Sequence, residues 1–130
     1  MDQSLEVVKY WKDSALDALD TSNKLFESKK YNHSLFFIHL SLEKILKALY
    51  IQIKKDSPPP IHDLIRLAEK CDLNINEKVK LELAEISTFN VSARYDDYKL
   101  KFYKKATKEY AEKWRALCKR IFDRFLSQLS

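Results

Sequence analysis

The residues that could do chemistry begin with three charged side chains in an otherwise apolar stretch. This stretch runs from Tyr31 to Lys54 and carries Glu43, Lys44 and Lys47. Glu43 and Lys47 are four positions apart, so on a helix they share a face and can form an ion pair, with Lys44 beside them. Such a polar notch on a buried helix is either a satisfied ion pair at the edge of a bundle or a functional site. The spacing leaves both interpretations open.

A second candidate is His62, which stands between the only three prolines of the chain and Asp63. The prolines predict a stiff, extended connection, because they fix the backbone and cannot continue a helix. Asp63 can cap a short helix that follows, so the imidazole of His62 is expected at a helix N-terminus. Taken alone, this position favours a structural role, in which the ring bonds a backbone carbonyl or packs on the bundle.

Other combinations of reactive side chains are poorly supported by their spacing. His33, His39 and His62 do not form a metal-binding pattern with each other or with the cysteines. Cys71 and Cys118 each lie on an apolar stripe, which indicates core packing rather than nucleophilic catalysis. We therefore expect no metal and no cofactor, and spacing identifies no catalytic residue.

The charge of the chain is unevenly distributed. Residues 94–130 hold 11 Lys or Arg against 5 Asp or Glu, a net charge of +6. Residues 1–93 hold 13 against 14, a net charge of −1. This asymmetry favours a polyanionic partner, such as nucleic acid, a nucleotide or an acidic protein surface, and an ordinary solvated helix face explains it equally well. The candidate basic face of the last helix consists of Lys108, Lys113, Lys119 and Arg120.

Helices must position these residues, because the composition argues against most other architectures. The 130 residues include no glycine, and 33% are charged while 45% are hydrophobic. The lack of glycine argues against β-rich folds with tight turns and against phosphate-binding loops. The remaining composition suits amphipathic helices packed around one core. We predict an all-α fold, an up-and-down four-helix bundle with an additional short helix, in which residues 1–130 form a single domain.

Apolar periodicity and capping residues predict where these helices lie. The predicted helices cover residues 2–28, residues 31–54, a short segment after Asp63, residues 77–88 and residues 105–129. Asn32 or Ser34 is the predicted cap of the second helix, and Asn74 or Asn76 that of the fourth. Residues 88–103 have no clean period and are predicted as an ordered, aromatic-rich connection of the kind that often carries function.

The sequence also predicts where the protein works. The first residues, MDQSLEVVKYW, begin an amphipathic helix and contain no apolar signal core. Charged residues interrupt the most apolar stretch well before the roughly 20 apolar residues that a bilayer span needs. Two cysteines in a lysine-rich helical chain are typical of reduced thiols in the cytosol. We therefore expect a cytoplasmic protein without a membrane partner.

Three phrases in order resemble the HEPN domain family (higher eukaryotes and prokaryotes nucleotide-binding). They are SLEKILKALY in the central helix, IHDLIRLAEK after the prolines, and FNVSARYDDY before the long closing helix. The resemblance extends from Trp11 to the last helix. It implies a small all-α bundle and a homodimer with sites near its seam. It also implies a partner of the MNT type, a small nucleotidyltransferase, frequently in a toxin–antitoxin pair.

Many members of this family are metal-independent ribonucleases, whose signature places a histidine four to six positions from an arginine near the last helix. Arg94 stands at the matching place, but no histidine follows His62 in this chain. The sequence instead resembles the branch that carries an ARYPD-like phrase, with Asp96 in place of the proline. For that branch the resemblance implies nucleotide or RNA binding. The alternatives are a metal-independent ribonuclease with a degenerate active site, using His62 or Tyr95 as proton carrier, and a structural protein-interaction module.

Carried over to this chain, the resemblance implies a pocket of seven residues. They are Glu43, Lys44, Lys47, His62, Asp63, Arg94 and Tyr95. In such a pocket Arg94 would hold phosphate through two parallel hydrogen bonds, and Tyr95 would stack on a base. Lys44 or Lys47 would add positive charge. A purely structural polar network that ties the aromatic connection to the bundle would use many of the same residues.

Overall fold

The computed structural model describes residues 3–90 and 96–130 of the chain. In these two ranges the chain forms six α-helices and no β-strand, which confirms the predicted all-α fold class. The helices are α1 (Gln3–Glu27), α2 (Tyr31–Lys54), α3 (Leu64–Lys70), α4 (Glu77–Ser87), α5 (Asp96–Lys105) and α6 (Lys108–Leu126). None of these described helices combines the length and apolar character that a membrane crossing would require.

The central helix α2 forms the middle of the core, because it is apolar around most of its circumference. Its buried apolar residues are Leu35, Ile38, Leu42, Ile45, Leu46, Ala48, Leu49 and Ile51. Helix α1 packs along it as an antiparallel partner, and α6 and α3 pack on other sides. The predicted central position of this stretch is therefore confirmed.

The start of α2 differs from the prediction, since neither Asn32 nor Ser34 caps it. The cap position is Lys30, which makes no side-chain capping bond. Ser34 is instead buried between α1 and α2, where its hydroxyl donates to the carbonyl oxygen of Ser22 at 2.8 Å. The Ser22 hydroxyl donates in return to the carbonyl oxygen of Ser34 at 2.8 Å. This tertiary pairing satisfies two buried hydroxyls, which explains why a residue type typical of caps lies inside a helix.

The other predicted capping contacts are confirmed. Helix α2 ends at Lys54, shortly before the prolines. The Asp63 carboxylate accepts from two backbone N–H groups of the first turn of α3, at 3.0 and 3.2 Å. Asn76 accepts from one backbone N–H of α4 at 2.9 Å. Each bond satisfies donors that a helix start leaves without an intrahelical partner.

The predicted irregular connection over residues 88–103 is wrong in part, because residues 96–105 form α5. Only one α5 residue, Phe102, is buried, so an apolar period is not visible in the sequence. Two aspartates in the first turn and two lysines in the last favour this helix through its dipole. The closing helix consequently begins later than predicted, at Lys108, where the Thr107 hydroxyl accepts from the backbone N–H of residue 110 at 3.2 Å.

Helix α5 is held against the end of α4 by aromatic and hydrogen-bond contacts. The rings of Phe102 and Phe89 lie 5.7 Å apart between centroids. The Tyr98 hydroxyl donates to the carbonyl oxygen of Thr88 at 3.2 Å. These contacts place the start of α5 beside the end of α4, on either side of residues 91–95.

Candidate functional site

Glu43 is the centre of a cluster of polar side chains between α2 and the start of α3. It is 5% exposed. One carboxylate oxygen accepts from Lys47 Nζ at 3.0 Å, and the other accepts from His62 Nδ1 at 2.9 Å. His39 Nε2 lies 3.8 Å from that second oxygen. Helix α2 presents His39, Glu43 and Lys47 on one face because they are four positions apart. We call these four residues the Glu43 cluster.

His62 is the exposed member of the Glu43 cluster. Its side chain is 62% exposed, whereas the Glu43 side chain that it contacts is 7% exposed. Its backbone is also fixed to α2, because its carbonyl oxygen accepts from His39 Nε2 at 2.9 Å. Within the described residues its Nε2 makes no hydrogen bond. An imidazole oriented at Nδ1 by a carboxylate can exchange a proton or bond a phosphate through its other nitrogen.

Lys47 compensates the buried charge of Glu43. It is 6% exposed, and its ammonium lies 5.7 Å from the centroid of the Trp11 ring of α1. A buried carboxylate is tolerable only when it is paired and hydrogen-bonded. Lys47 is thus engaged on both sides, by the Glu43 carboxylate and by the Trp11 ring, rather than free for a ligand.

His39 is buried and neutral at pH 7. Burial lowers the pKa of His39, although the bond to the backbone of His62 and the charge of Glu43 oppose this effect. Because its Nε2 donates to a carbonyl oxygen, its Nδ1 is the unprotonated nitrogen. This Nδ1 is buried and has no hydrogen-bond partner among the described residues. His39 therefore positions the loop that carries His62.

Two of the predicted pocket residues lie elsewhere. The half-buried Lys44 is directed towards α1, where its ammonium donates to the Ser14 hydroxyl. It follows Glu43 directly, and successive residues of a helix are rotated by about 100°. Asp63 uses its carboxylate to cap α3. The structure therefore brings together Glu43, Lys47 and His62 but not Lys44 or Asp63.

Arg94 and Tyr95 lie outside the described residues, so the predicted contact of Arg94 with the cluster stays a prediction. The last turn of α4, which precedes them, lies beside the start of α3. The Ser87 hydroxyl of α4 accepts from the backbone N–H of Leu64, two residues after His62, at 3.1 Å.

The family model of the HEPN domain matches residues 8–128. This chain belongs to the HEPN domain family. The matched range contains the whole Glu43 cluster and all six helices except the first residues of α1. No curated protein and no solved structure matches the chain.

The four predicted basic residues of this HEPN domain are all exposed on α6. Helical geometry divides them between two flanks, with Lys113 and Arg120 on one side and Lys108 and Lys119 on the other. Lys119 also forms an ion pair with Asp123 at 2.6 Å. The basic face is thus two separate flanks rather than one continuous surface.

The cysteines of the HEPN domain are packed in its core. The Cys71 thiol donates to the carbonyl oxygen of Leu46 at 3.3 Å, and Cys118 is fully buried near Ser41. Burial raises the pKa of both thiols to about 12, which suppresses the reactive thiolate. Within residues 3–90 and 96–130, no group of three or more His, Cys, Asp or Glu side chains is arranged to hold a metal ion.

A second polar cluster of the HEPN domain was not predicted. Glu85 of α4 accepts from Lys105 of α5 at 2.7 Å and from the Tyr110 hydroxyl of α6. Burial raises the pKa of Glu85, but these two hydrogen bonds, together with the charges of Lys105 and Lys113, outweigh burial and lower the pKa overall. Burial and the bond to Glu85 also raise the pKa of Tyr110. We call these three residues the Glu85 cluster, which joins α4, α5 and α6.

Sequence reasoning also missed His39 as a member of the Glu43 cluster, although a signal existed. His39, Glu43 and Lys47 recur at a spacing of four, which predicts one polar line along α2. No comparable signal links Glu85 to Lys105 and Tyr110, because three different helices supply them.

Proposed function

We propose that this HEPN-domain protein binds nucleotide or RNA at the surface around His62 and acts with an MNT-type nucleotidyltransferase, in a pairing of the toxin–antitoxin type. The observation that carries the proposal is the 62% exposed imidazole of His62, held at 2.9 Å by a buried carboxylate that Lys47 neutralises. A network that served packing alone would gain nothing from leaving this one member in solvent. An exposed, oriented imidazole suits a phosphate ligand instead.

Positive charge near the C-terminus supports a polyanionic ligand. Several exposed cations of α5 and α6 form no ion pair with described residues. They are Lys99, Lys101, Lys104, Lys108, Lys113 and Arg120. Unneutralised cations attract a phosphate backbone and make its binding salt-dependent. We include Arg94 and Tyr95 in the proposed surface, since the chain leaves α4 beside the start of α3 before it reaches them.

The binding proposal is tested with labelled tRNA and labelled ATP, by fluorescence anisotropy at low and moderate salt. We expect affinity to fall about tenfold or more in His62→Ala and in Arg94→Ala, since a charged hydrogen bond contributes roughly 1.5–3 kcal/mol. His33→Ala is the matched control, because His33 is exposed and lies outside the Glu43 cluster. Equal binding by wild type and His62→Ala would contradict the proposal.

The partner proposal is tested separately by a pull-down with a purified MNT-type nucleotidyltransferase encoded next to this gene. We expect a complex at micromolar concentration, with or without nucleotide. Failure to detect any complex at that concentration would remove the partner from the proposal while leaving ligand binding untouched.

We further propose that the protein is a homodimer whose seam includes α5. Leu100 and Tyr103 are 54% and 63% exposed and lie three positions apart, so they form one apolar patch on that helix. Leu100→Glu should convert a dimer into a monomer in light-scattering measurements. Leu81→Glu is the control, because Leu81 is 72% exposed on α4. A monomeric wild type at tens of micromolar would contradict the proposal.

The contact between Glu43 and His62 favours one second candidate, a metal-independent ribonuclease. A carboxylate that orients an imidazole is the arrangement of a general base. His62 would take the proton of a 2′-hydroxyl as that oxygen attacks the phosphorus, forming a 2′,3′-cyclic phosphate while the P–O5′ bond breaks. The leaving 5′-oxygen would take a proton from water, and Arg94 would hold the developing phosphate charge. We expect slow cleavage of RNA in the presence of a chelator, abolished by His62→Ala. An intact RNA after long incubation with concentrated wild type would exclude this activity.

A further inference from the structure

A groove between α1, α2 and α6 is separate from the Glu43 cluster. Its volume is about 310 Å³. Leu19, Ile38 and Ala116 form the apolar part of its lining. Asn23, Arg115 and Lys119 offer N–H donors that can bind an anion. On α2, Ile38 lines this groove, whereas the next residue, His39, contacts the loop of His62. The two regions therefore lie on different sides of the central helix.

Arg115 is the most constrained cation of this groove. Its guanidinium carbon lies 4.1 Å from the centroid of the Phe26 ring, so the flat group stacks on α1. Its Nη2 donates to the side-chain oxygen of Asn23, also on α1. Stacking and one hydrogen bond fix the plane of the guanidinium before any ligand arrives, which reduces the entropy that binding would cost.

The charge of Arg115 is not compensated by a direct ion pair. Among the described residues, no carboxylate lies within 4 Å of its nitrogens, and its buried Nε has no hydrogen-bond acceptor. Burial lowers the pKa of Arg115, and the more distant charges of Glu27 and Glu112 offset this only in part. Because the Nε is buried, an anion in the groove would stabilise this partly desolvated guanidinium through its terminal nitrogens.

We propose that this groove binds a single phosphate group, with Arg115 as its main ligand and Lys119, which also pairs with the exposed Asp123, as a weaker second cation. A guanidinium offers parallel N–H donors that match two phosphate oxygens. The apolar lining suits the sugar or base that carries the phosphate. The volume lies at the lower end of the roughly 300–1,000 Å³ of small-molecule sites, so one nucleotide fits rather than a longer strand. Glu112, which also lines the groove, disfavours further phosphates.

The phosphate has two sources with the same chemistry, a free nucleotide or the end of an RNA strand. The probes are AMP, inorganic phosphate, and one short RNA prepared with either a 5′-phosphate or a 5′-hydroxyl end. Binding of AMP but neither RNA assigns the groove to free nucleotide, whereas binding of only the 5′-phosphorylated RNA assigns it to strand ends. Absence of binding by every probe at millimolar concentration overturns the proposal.

Variants separate this site from the surface around His62. We expect AMP affinity to fall about tenfold or more in Arg115→Ala and to rise in Glu112→Gln, with both changes measured in a His62→Ala background so that the surface around His62 does not contribute. Arg124→Ala is the matched control, since it removes one exposed positive charge from the same helix outside the groove. Equal AMP affinity with and without Arg115→Ala in that background overturns the proposal.

A measurement on the wild-type chain avoids any effect of substitution on folding. The Nε–H resonance of Arg115 is followed by NMR while AMP is added. We expect it to shift and saturate with the binding curve. Saturable AMP binding without movement of this resonance overturns the proposal, and Arg115→Lys, which keeps the charge but loses the planar fork, is expected to bind less tightly than wild type.

Discussion

The Glu43 cluster and the Glu85 cluster have the same ingredients and expose different members. In each, one glutamate accepts hydrogen bonds from one lysine and from one ring, and the Glu43 cluster contains His39 as a further, buried ring. In the Glu43 cluster the carboxylate and the lysine are buried and the imidazole is exposed. In the Glu85 cluster the lysine is 49% exposed, while the Tyr110 ring packs against Phe89 and Trp114.

The difference in exposure indicates which of the two polar clusters is the better candidate for a functional site. The charges of the Glu85 cluster are fixed around neutral pH, because the pKa of Glu85 is lowered and that of Tyr110 is raised. Its members fasten three helices together. His62, in contrast, presents its ring to solvent, where a ligand can reach it. The exposure of a hydrogen-bonding ring distinguishes a candidate binding site from a structural contact between helices.

The largest expected difference between the clusters is in stability. Glu43→Ala leaves Lys47 buried without its partner and should lower the free energy of unfolding by about 3–5 kcal/mol. Glu85→Ala removes a half-exposed pair and should cost only about 1 kcal/mol. Urea unfolding of both variants measures the contrast. Equal losses would show that the two clusters do not differ in burial as described.

A double-mutant cycle measures the coupling between Glu43 and Lys47. Lys47→Met alone leaves the Glu43 charge unpaired in the core, so it should also cost about 3 kcal/mol or more. Replacing both, as Glu43→Gln with Lys47→Met, should cost less than the sum of the single changes by roughly 1–3 kcal/mol. Additive losses in urea unfolding would mean that the two side chains are not coupled.

The two clusters should also lose their contributions to the free energy of unfolding in different pH ranges. His39 has a lowered pKa when folded, so the unfolded chain binds the additional proton as pH falls below about 6.5. Its contribution is present above that value and is lost as pH falls through the folded pKa, by at most about 1.4 kcal/mol per pH unit. The contribution of Glu85 is lost only below about 4.5. His39→Leu should remove the earlier loss in unfolding curves recorded between pH 7 and 5, and an unchanged slope would contradict this.

The smallest expected effect separates His62 from its neighbour Asp63. Asp63→Ala removes the cap of α3 and should cost about 1 kcal/mol of stability, as should Asn76→Ala at the start of α4. Neither change should alter ligand affinity by more than about twofold. If Asp63→Ala lowered RNA or ATP affinity more than Asn76→Ala does, Asp63 would belong to the binding surface.

Much of the fold could be predicted from the sequence because it depends on local patterns. Residues close together in the chain determine three of its features. These are the apolar stretch of α2, the end of α2 before the prolines, and the caps at Asp63 and Asn76. Helix α5 was not predictable in this way, since only Phe102 of that helix is buried. The position of Ser34 inside α2 depends on a hydroxyl of the opposite helix.

The candidate site was predictable only where its members share a helix. The spacing of Glu43 and Lys47 predicts their ion pair, and the structure contains it. Adjacent residues of a helix point in different directions, which argues against placing Lys44 with them. The contact between Glu43 and His62 spans 19 positions and depends on how the proline loop folds back, so no local pattern predicts it.

We propose that His62, oriented by Glu43, is the residue of this cluster that contacts the ligand. The most direct test of this proposal is NMR of the histidine ring signals of the wild-type protein during addition of tRNA or ATP, with His62 assigned from the spectrum of His62→Ala. We expect the His62 signals to shift and saturate with the binding curve, while the His33 signals do not move. Saturated binding with unmoved His62 signals would contradict it.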